Sequence, residues 1–264
     1  MRVINTGKSY KFVLLLGFLL SFNMFLSQDE PEIDSLYDVL SLETHDTVKV
    51  NTLNELSFKL YKKNKHQEAK NKATDALNIA RDIHFEKGEA HALKNIGDII
   101  SDIGSYSEAR DYLLMAMNIY KNLGMSTKVG DMYNSIGVIY NDQGKDAEAI
   151  DNYYKALEIY EEGEHQLGIC NALNNLGVVY RKLGEHEKAM EMYDESLRIR
   201  QELGDKIEIA KSYNNIAIVY AGLRDFDNAL KNFNASLKIR EEEGDIDGVA
   251  ESYTNLGLLY VYML

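Results

Sequence analysis

From residue 46 onward the chain is written in short apolar bursts at helical spacing. In Ile169 to Tyr180 the apolar or small positions Leu173, Leu176, Gly177 and Tyr180 fall three and four apart, which puts them on one face of a helix. Gly184-Glu185 interrupts that pattern. A second helix is predicted over His186 to Gln201, with Ala189, Tyr193, Leu197 and Arg200 at spacings of four, four and three. It stops near Leu203-Gly204-Asp205, where glycine suits a helix C-terminus and aspartate the next N-cap. The unit is therefore two antiparallel helices joined by short turns.

This unit recurs at a constant offset of 40 residues, without insertion or deletion. Ala69, Ala109, Ala149, Ala189 and Ala229 share one register, and Gly97, Gly137, Gly177, Ala217 and Gly257 share another. Ile96, Ile136, Leu176, Ile216 and Leu256 precede that small residue; Ile100, Tyr140, Tyr180, Tyr220 and Tyr260 follow it by three. A glycine inside a helix costs roughly 0.5–1 kcal/mol against alanine, so packing must outweigh it. The expectation is that Gly177 lies opposite Ala189 and lets two backbones approach closely. The tyrosines at core spacing are assigned to packing.

The column set of Leu173, Leu176, Gly177, Tyr180, Ala189 and Tyr193, with small Ala156 or Ser196 later in the second helix, resembles the tetratricopeptide family. The resemblance runs from about residue 46 to 264. It implies an all-α fold, a right-handed α-solenoid of antiparallel helix pairs. The sequence departs from the common pattern in its 40-residue unit and in lacking the proline that usually ends the second helix. In unit length it is similar to kinesin light chains and Pins-type polarity adaptors, both peptide-binding.

These patterns divide the chain into three parts. Residues 1–27 read as a signal peptide or N-terminal anchor: Arg2, Lys8 and Lys11 precede the apolar run from Phe12 to Leu26, and the chain then turns polar. Cutting after Ser27 leaves Phe25 where a small residue is usual, so an uncleaved tether is the alternative. Residues 28–45 read as a linker with a short capping helix, in which Ile33, Leu36, Tyr37 and Leu40 fall at helical spacing. Residues 46–264 read as about five full repeats plus the first helix of a sixth. The irregular first unit would cap the array. The apolar end Tyr262-Met263-Leu264 suggests a piece of a longer product, and a surface for self-association.

Composition narrows the function. There is one proline in 264 residues, and 42 acidic residues oppose 29 basic ones for a net charge of −13. Without the three basic residues of the leader the net is −16. Such a surface repels phosphate backbones, so the expected partner is a protein or peptide and no nucleic acid. Cys170 is the one cysteine, which excludes an intrachain disulfide, and its place inside a repeat marks it as a small core residue. The histidines at 45, 66, 84, 91, 165 and 186 show no metal-ligand pairing, and nucleotide-loop, nucleophile-elbow and dinucleotide signatures are missing. No catalytic residue, metal or cofactor is expected.

In the kinesin light chain and Pins-like families, asparagines in the first helix meet the main chain of a bound peptide. The resemblance carries that role to Asn134, Asn174 and Asn214 in one register and Asn175, Asn215 and Asn255 in the next. An amide both donates and accepts, so it can grip peptide groups regardless of side chain. The other reading is that these residues bond between repeats and hold the stack. Asn141 and Arg181, further along the same helix, are candidates for a ligand carboxylate.

An export signal ahead of such repeats resembles the N-terminal sensor regions of bacterial envelope signalling proteins. The expected function is therefore an exported peptide- or protein-binding scaffold, periplasmic or tethered outside the cytoplasm. The alternatives are a structural scaffold for envelope complexes and a truncated piece of a repeat-containing histidine kinase or nucleotide cyclase.

Overall fold

The computed structural model describes residues 31–42 and 45–263. The leader reading for residues 1–27 lies outside the described residues. Helix α1 spans Pro31–Ser41. Five helix pairs follow: α2 (Asp46–Lys62) with α3 (His66–Asp82), α4 (Glu86–Asp102) with α5 (Tyr106–Asn122), and α6 (Ser126–Asp142) with α7 (Asp146–Glu162), then α8 (Gln166–Lys182) with α9 (His186–Leu203) and α10 (Lys206–Gly222) with α11 (Phe226–Glu243). Helix α12 (Ile246–Met263) occupies the position of a first helix.

Each helix packs on the one before it and the one after it, and the first helices also touch their counterparts in adjacent pairs. Second helices make no comparable contacts with one another among the described residues. That asymmetry curves the solenoid with its first helices on the inside. Helix α1 seals the N-terminal end, where buried Ile33 packs with Leu56, Leu60 and Ala69.

The turns repeat at half the sequence period. Every twentieth residue from Asn64 to Gly244 has a positive φ, between 51° and 85°. Glycine fills six of these ten positions, and Asn64, His84, Glu164 and Arg224 occupy the others. In the turn after α7 the glycine sits one residue early: Gly163 has φ −89° and Glu164 takes the left-handed conformation at 51°. Asp205, Asp225 and Asp245 then cap α10, α11 and α12 by accepting from the backbone N–H three residues on, at 3.0–3.2 Å.

The small column does approach the alanine column, as where Ser57 Oγ donates to Ala69 O at 2.8 Å and where a Cβ on Gly97 would fall 3.2 Å from Ala109 O, but its nearest neighbour in three repeats is the side chain one turn after the alanine. A Cβ on Gly177 would fall 2.6 Å from Cε1 of Tyr193, and one on Gly137 would fall 2.6 Å from Cε1 of Tyr153. At Gly97 the neighbour is Leu113, at 3.0 Å. Helical side chains lean back toward the N-terminus, so the ring one turn after the alanine covers the spot beside it. Gly257 has nothing within 4 Å, and Tyr260, Val261 and Tyr262 on the same helix are exposed.

A second column crosses the inter-pair junction: Ala80, Tyr120, Tyr160, Arg200 and Arg240 are all buried. Tyr160 packs against Gly130 and Gly168, and its hydroxyl donates to Asp131 Oδ1 at 2.8 Å. Two repeats later Arg240, 1% exposed, takes the same place. It donates to Gly248 O at 2.7 Å, Ser252 Oγ at 2.9 Å and Glu251 Oε2 at 3.0 Å. Arg200 bonds the Glu208 carboxylate and carbonyl and Asn171. Cys170 lies in this core at 1% exposure, and burial pushes its thiol up.

Candidate functional site

The inner face is built from the exposed or half-buried positions of α2, α4, α6, α8, α10 and α12. Two adjacent registers there carry most of the asparagines, and the structure joins them across repeats. Asn175 Nδ2 donates to Asn134 Oδ1 at 3.0 Å, Asn215 to Asn174 at 2.9 Å and Asn255 to Asn214 at 2.8 Å. Each rung links residues 41 apart, which is one repeat plus one position. At the N-terminal end Asn95 Nδ2 reaches the backbone carbonyl of Asn54 instead, at 2.9 Å.

These rungs hold neighbouring first helices together, yet they consume only part of each amide. Asn134 and Asn174 spend their carbonyls on the rung and stay half-buried, so their NH2 groups remain for the channel. Asn214 is 4% exposed and gives its NH2 to Glu251 at 3.2 Å, so it is committed on both sides. Asn141 and Arg181 are half-buried, with Asn141 Oδ1 and Arg181 Nε enclosed and without a hydrogen-bond partner. Arg181 lies beside Tyr193, whose hydroxyl burial pushes up and Arg181 partly draws back.

The ladder breaks where Lys94 and Ser135 replace its asparagines, and the inner face there opens into a cavity of about 760 Å³. Lys94 instead pairs with Asp98 on its own helix, and Lys128 pairs with Asp131 at 2.8 Å. Burial works against the Lys94 ammonium, but the Asp98 carboxylate outweighs it and keeps the pKa above its ordinary value. His91 in the same wall is lowered to about 4, by burial first and then by Lys128, Lys87 and Lys94, and is neutral near pH 7. Burial and a hydrogen bond to Asp102 push the Tyr61 hydroxyl up.

Asn134 from the sequence-based site lines this cavity, but Asn54, Lys94, Asp98 and Asp102 are absent from that site. The signal lay in the interruption of the two asparagine columns at 94 and 135. The histidines carry a further pattern that their spacing had hidden: His45 and His165 lie three repeats apart, each preceding a helix, as do His66 and His186, each opening one. His165 Nδ1 accepts from Gly168 N at 3.1 Å and caps α8. Among the described residues no three His, Cys, Asp or Glu side chains are placed to hold a metal ion. No described helix is long and apolar enough to cross a membrane.

Known structures repeat this architecture. The chain superposes on a Rap protein complexed with Competence and Sporulation Factor with a TM-score of 0.66, at 18% identity, over 87% of this chain and 69% of that one. Aspartyl phosphate phosphatase F from Bacillus subtilis matches with a TM-score of 0.70, at 15% identity, over 95% and 67%. A putative kinesin light chain from Podosopora anserina matches at 0.58 and 13%, over 77% and 100%. No curated protein matches the sequence. The tetratricopeptide repeat family matches residues 128–202 and 208–263, the stretch in which the small column, the opposing ring and the inter-pair tyrosine or arginine recur. With the same helix pairs extending back to Asp46, the chain belongs to the tetratricopeptide repeat family.

Proposed function

We propose that the inner face binds an extended polypeptide, and that the chain acts as an interaction scaffold without chemistry of its own. The observation that carries this reading is the pair of amide NH2 groups on Asn134 and Asn174, presented one repeat apart on a channel whose walls the rungs fix in place. A peptide backbone offers carbonyls to such donors whatever its sequence. Tetratricopeptide arrays are in general non-enzymatic binding scaffolds. The Rap protein of similar fold is described in complex with Competence and Sporulation Factor, which is in keeping with use of the fold to hold a partner.

The leader places this scaffold outside the cytoplasm in our reading, as the sensor or interaction region of a longer signalling protein. A second reading is a structural scaffold that associates through α12, and the exposed Leu258, Tyr260, Val261 and Tyr262 favour it. The test is capture from an envelope extract by the chain and by two variants of matched helicity, Asn174→Leu in the channel and Met115→Glu on the exposed surface of α5. Loss of one identified polypeptide with Asn174→Leu alone supports the channel. Equal capture by all three, with dimers abolished by Tyr262→Glu, supports the scaffold.

A further inference from the structure

The cavity between α2, α4 and α6 differs from the rest of the channel in what it lacks. Asn54, 5% exposed, lines it and gives its Nδ2 to Gly88 O at 3.0 Å, but its Oδ1 is enclosed with no hydrogen-bond partner. A buried acceptor left in that state is destabilising, so a donor is wanted there. The acids Asp98 and Asp102 line the same space. Asp142, one repeat on from Asp102, sits close enough for the two carboxylates to repel: its pKa is raised by burial and by Asp102. The cation that acts on Asp142 is Lys182, which is engaged by Asp146 at 2.7 Å.

The remaining wall is aromatic. Phe58 and Tyr61 border the cavity, and Phe58 is 45% exposed. The chain's own Lys62 already lays its ammonium over the Phe58 ring, 5.5 Å from the centroid, which shows that this ring face accepts a cation. In this wall Lys94 and Lys128 are paired with Asp98 and Asp131, Asp102 accepts from Tyr61, and of the buried side-chain atoms Asn54 Oδ1 alone is left without a partner. An orphan acceptor beside carboxylates at the end of an aromatic wall suits a long basic side chain, whose stem lies on the rings while its N–H groups reach the oxygens.

Resting on the proposal that the channel binds polypeptide, we infer that the cavity is a specificity pocket for a lysine or arginine side chain of that polypeptide, held by Asp102, Asp98 and the orphan Oδ1 of Asn54. The net charge of −13 favours the same kind of partner at long range.

The test is selection of a random-peptide display library on the full chain, followed by affinity measurement of the enriched peptides on the chain and on Asp102→Asn and Asp102→Lys. Asp102 is exposed, so both variants should fold, which unchanged helicity would verify. Expected are peptides sharing a lysine or arginine at one fixed position, an affinity about tenfold lower with Asp102→Asn as one charge-assisted contact is lost, and a larger loss with Asp102→Lys. Enriched peptides with no basic position, or affinities indifferent to both variants, would overturn the basic pocket and leave the polypeptide channel standing. A library that yields no binder at all would overturn both.

Discussion

Changing Gly177 and Gly257 to alanine should alter stability in opposite directions, although both belong to one sequence column. Replacing a helical glycine by alanine gains about 0.5–1 kcal/mol from backbone conformation alone. At Gly257 nothing lies within 4 Å of the new methyl, so that gain should appear undiminished. At Gly177 the methyl would sit 2.6, 2.8 and 2.9 Å from Cε1, Cδ1 and Cζ of Tyr193, a ring with no exposed surface in which to retreat. Overpacking of a tight core costs typically about 1–3 kcal/mol. The fifth repeat sets a limit on the penalty, because it carries Ala217 naturally in the same hydrophobic cluster as Phe233, so the interface can widen for a methyl. The net expectation for Gly177→Ala is a loss of about 1 kcal/mol, or roughly 2–4 °C in Tm. Gly177→Leu should cost more than ~3 kcal/mol. Urea and thermal unfolding of both alanine variants beside the parent decide the matter. If Gly177→Ala stabilises as much as Gly257→Ala, the ring contact does not explain the glycine column.

Other outcomes follow from single contacts. Glu164→Gly should stabilise by about 0.5–1 kcal/mol in urea melts, because glycine relieves the left-handed conformation that Glu164 holds at φ 51°. Arg240→Ala should cost about 3–5 kcal/mol, since it orphans the Gly248 carbonyl, the Ser252 hydroxyl and one contact of Glu251, whereas Arg200→Tyr, which copies the Tyr160 solution, should cost less. His91 has a folded pKa lowered to about 4 against an ordinary 6.5, so its contribution is fully present above pH 6.5 and is lost as the pH falls toward 4. His91→Gln should therefore flatten the stability profile across that window, as seen in Tm against pH. For Asp142 the sign is reversed: its raised carboxyl pKa makes the charged form a liability near pH 7, so Asp142→Asn should raise Tm there and lose that advantage in acid.

The sequence disclosed the helices because each apolar column recurs five times at one offset, and the turns where glycine marks them, as at Gly184 and Gly204, but not at Glu164 or Arg224, which adopt the same left-handed conformation without being glycine. It did not disclose which side chain each column meets. Gly177 looked like a partner for Ala189 because both are small, and the backward lean of helical side chains makes the Tyr193 ring its nearest neighbour. Arg200 fell at an apolar spacing that a charged residue ordinarily leaves to solvent, and its burial depends on Glu208 in the next pair, which no single-helix pattern displays. The asparagine registers were legible as columns. Their offset of 41, which makes them rungs between repeats as well as donors to the channel, depends on how far successive first helices slide past each other. The cavity escaped notice because it lies where the columns fail, at Lys94 and Ser135.

Binding of polypeptide on the inner face is most directly tested by photo-crosslinking. A photoreactive side chain placed at Val138, which lines the channel on α6, is compared with one at Met115, exposed on α5, each in the presence of the polypeptide captured by the parent chain. A specific adduct from Val138 and none from Met115 is the expected result. Adducts from Met115 alone would move the binding surface off the inner face and contradict the proposal.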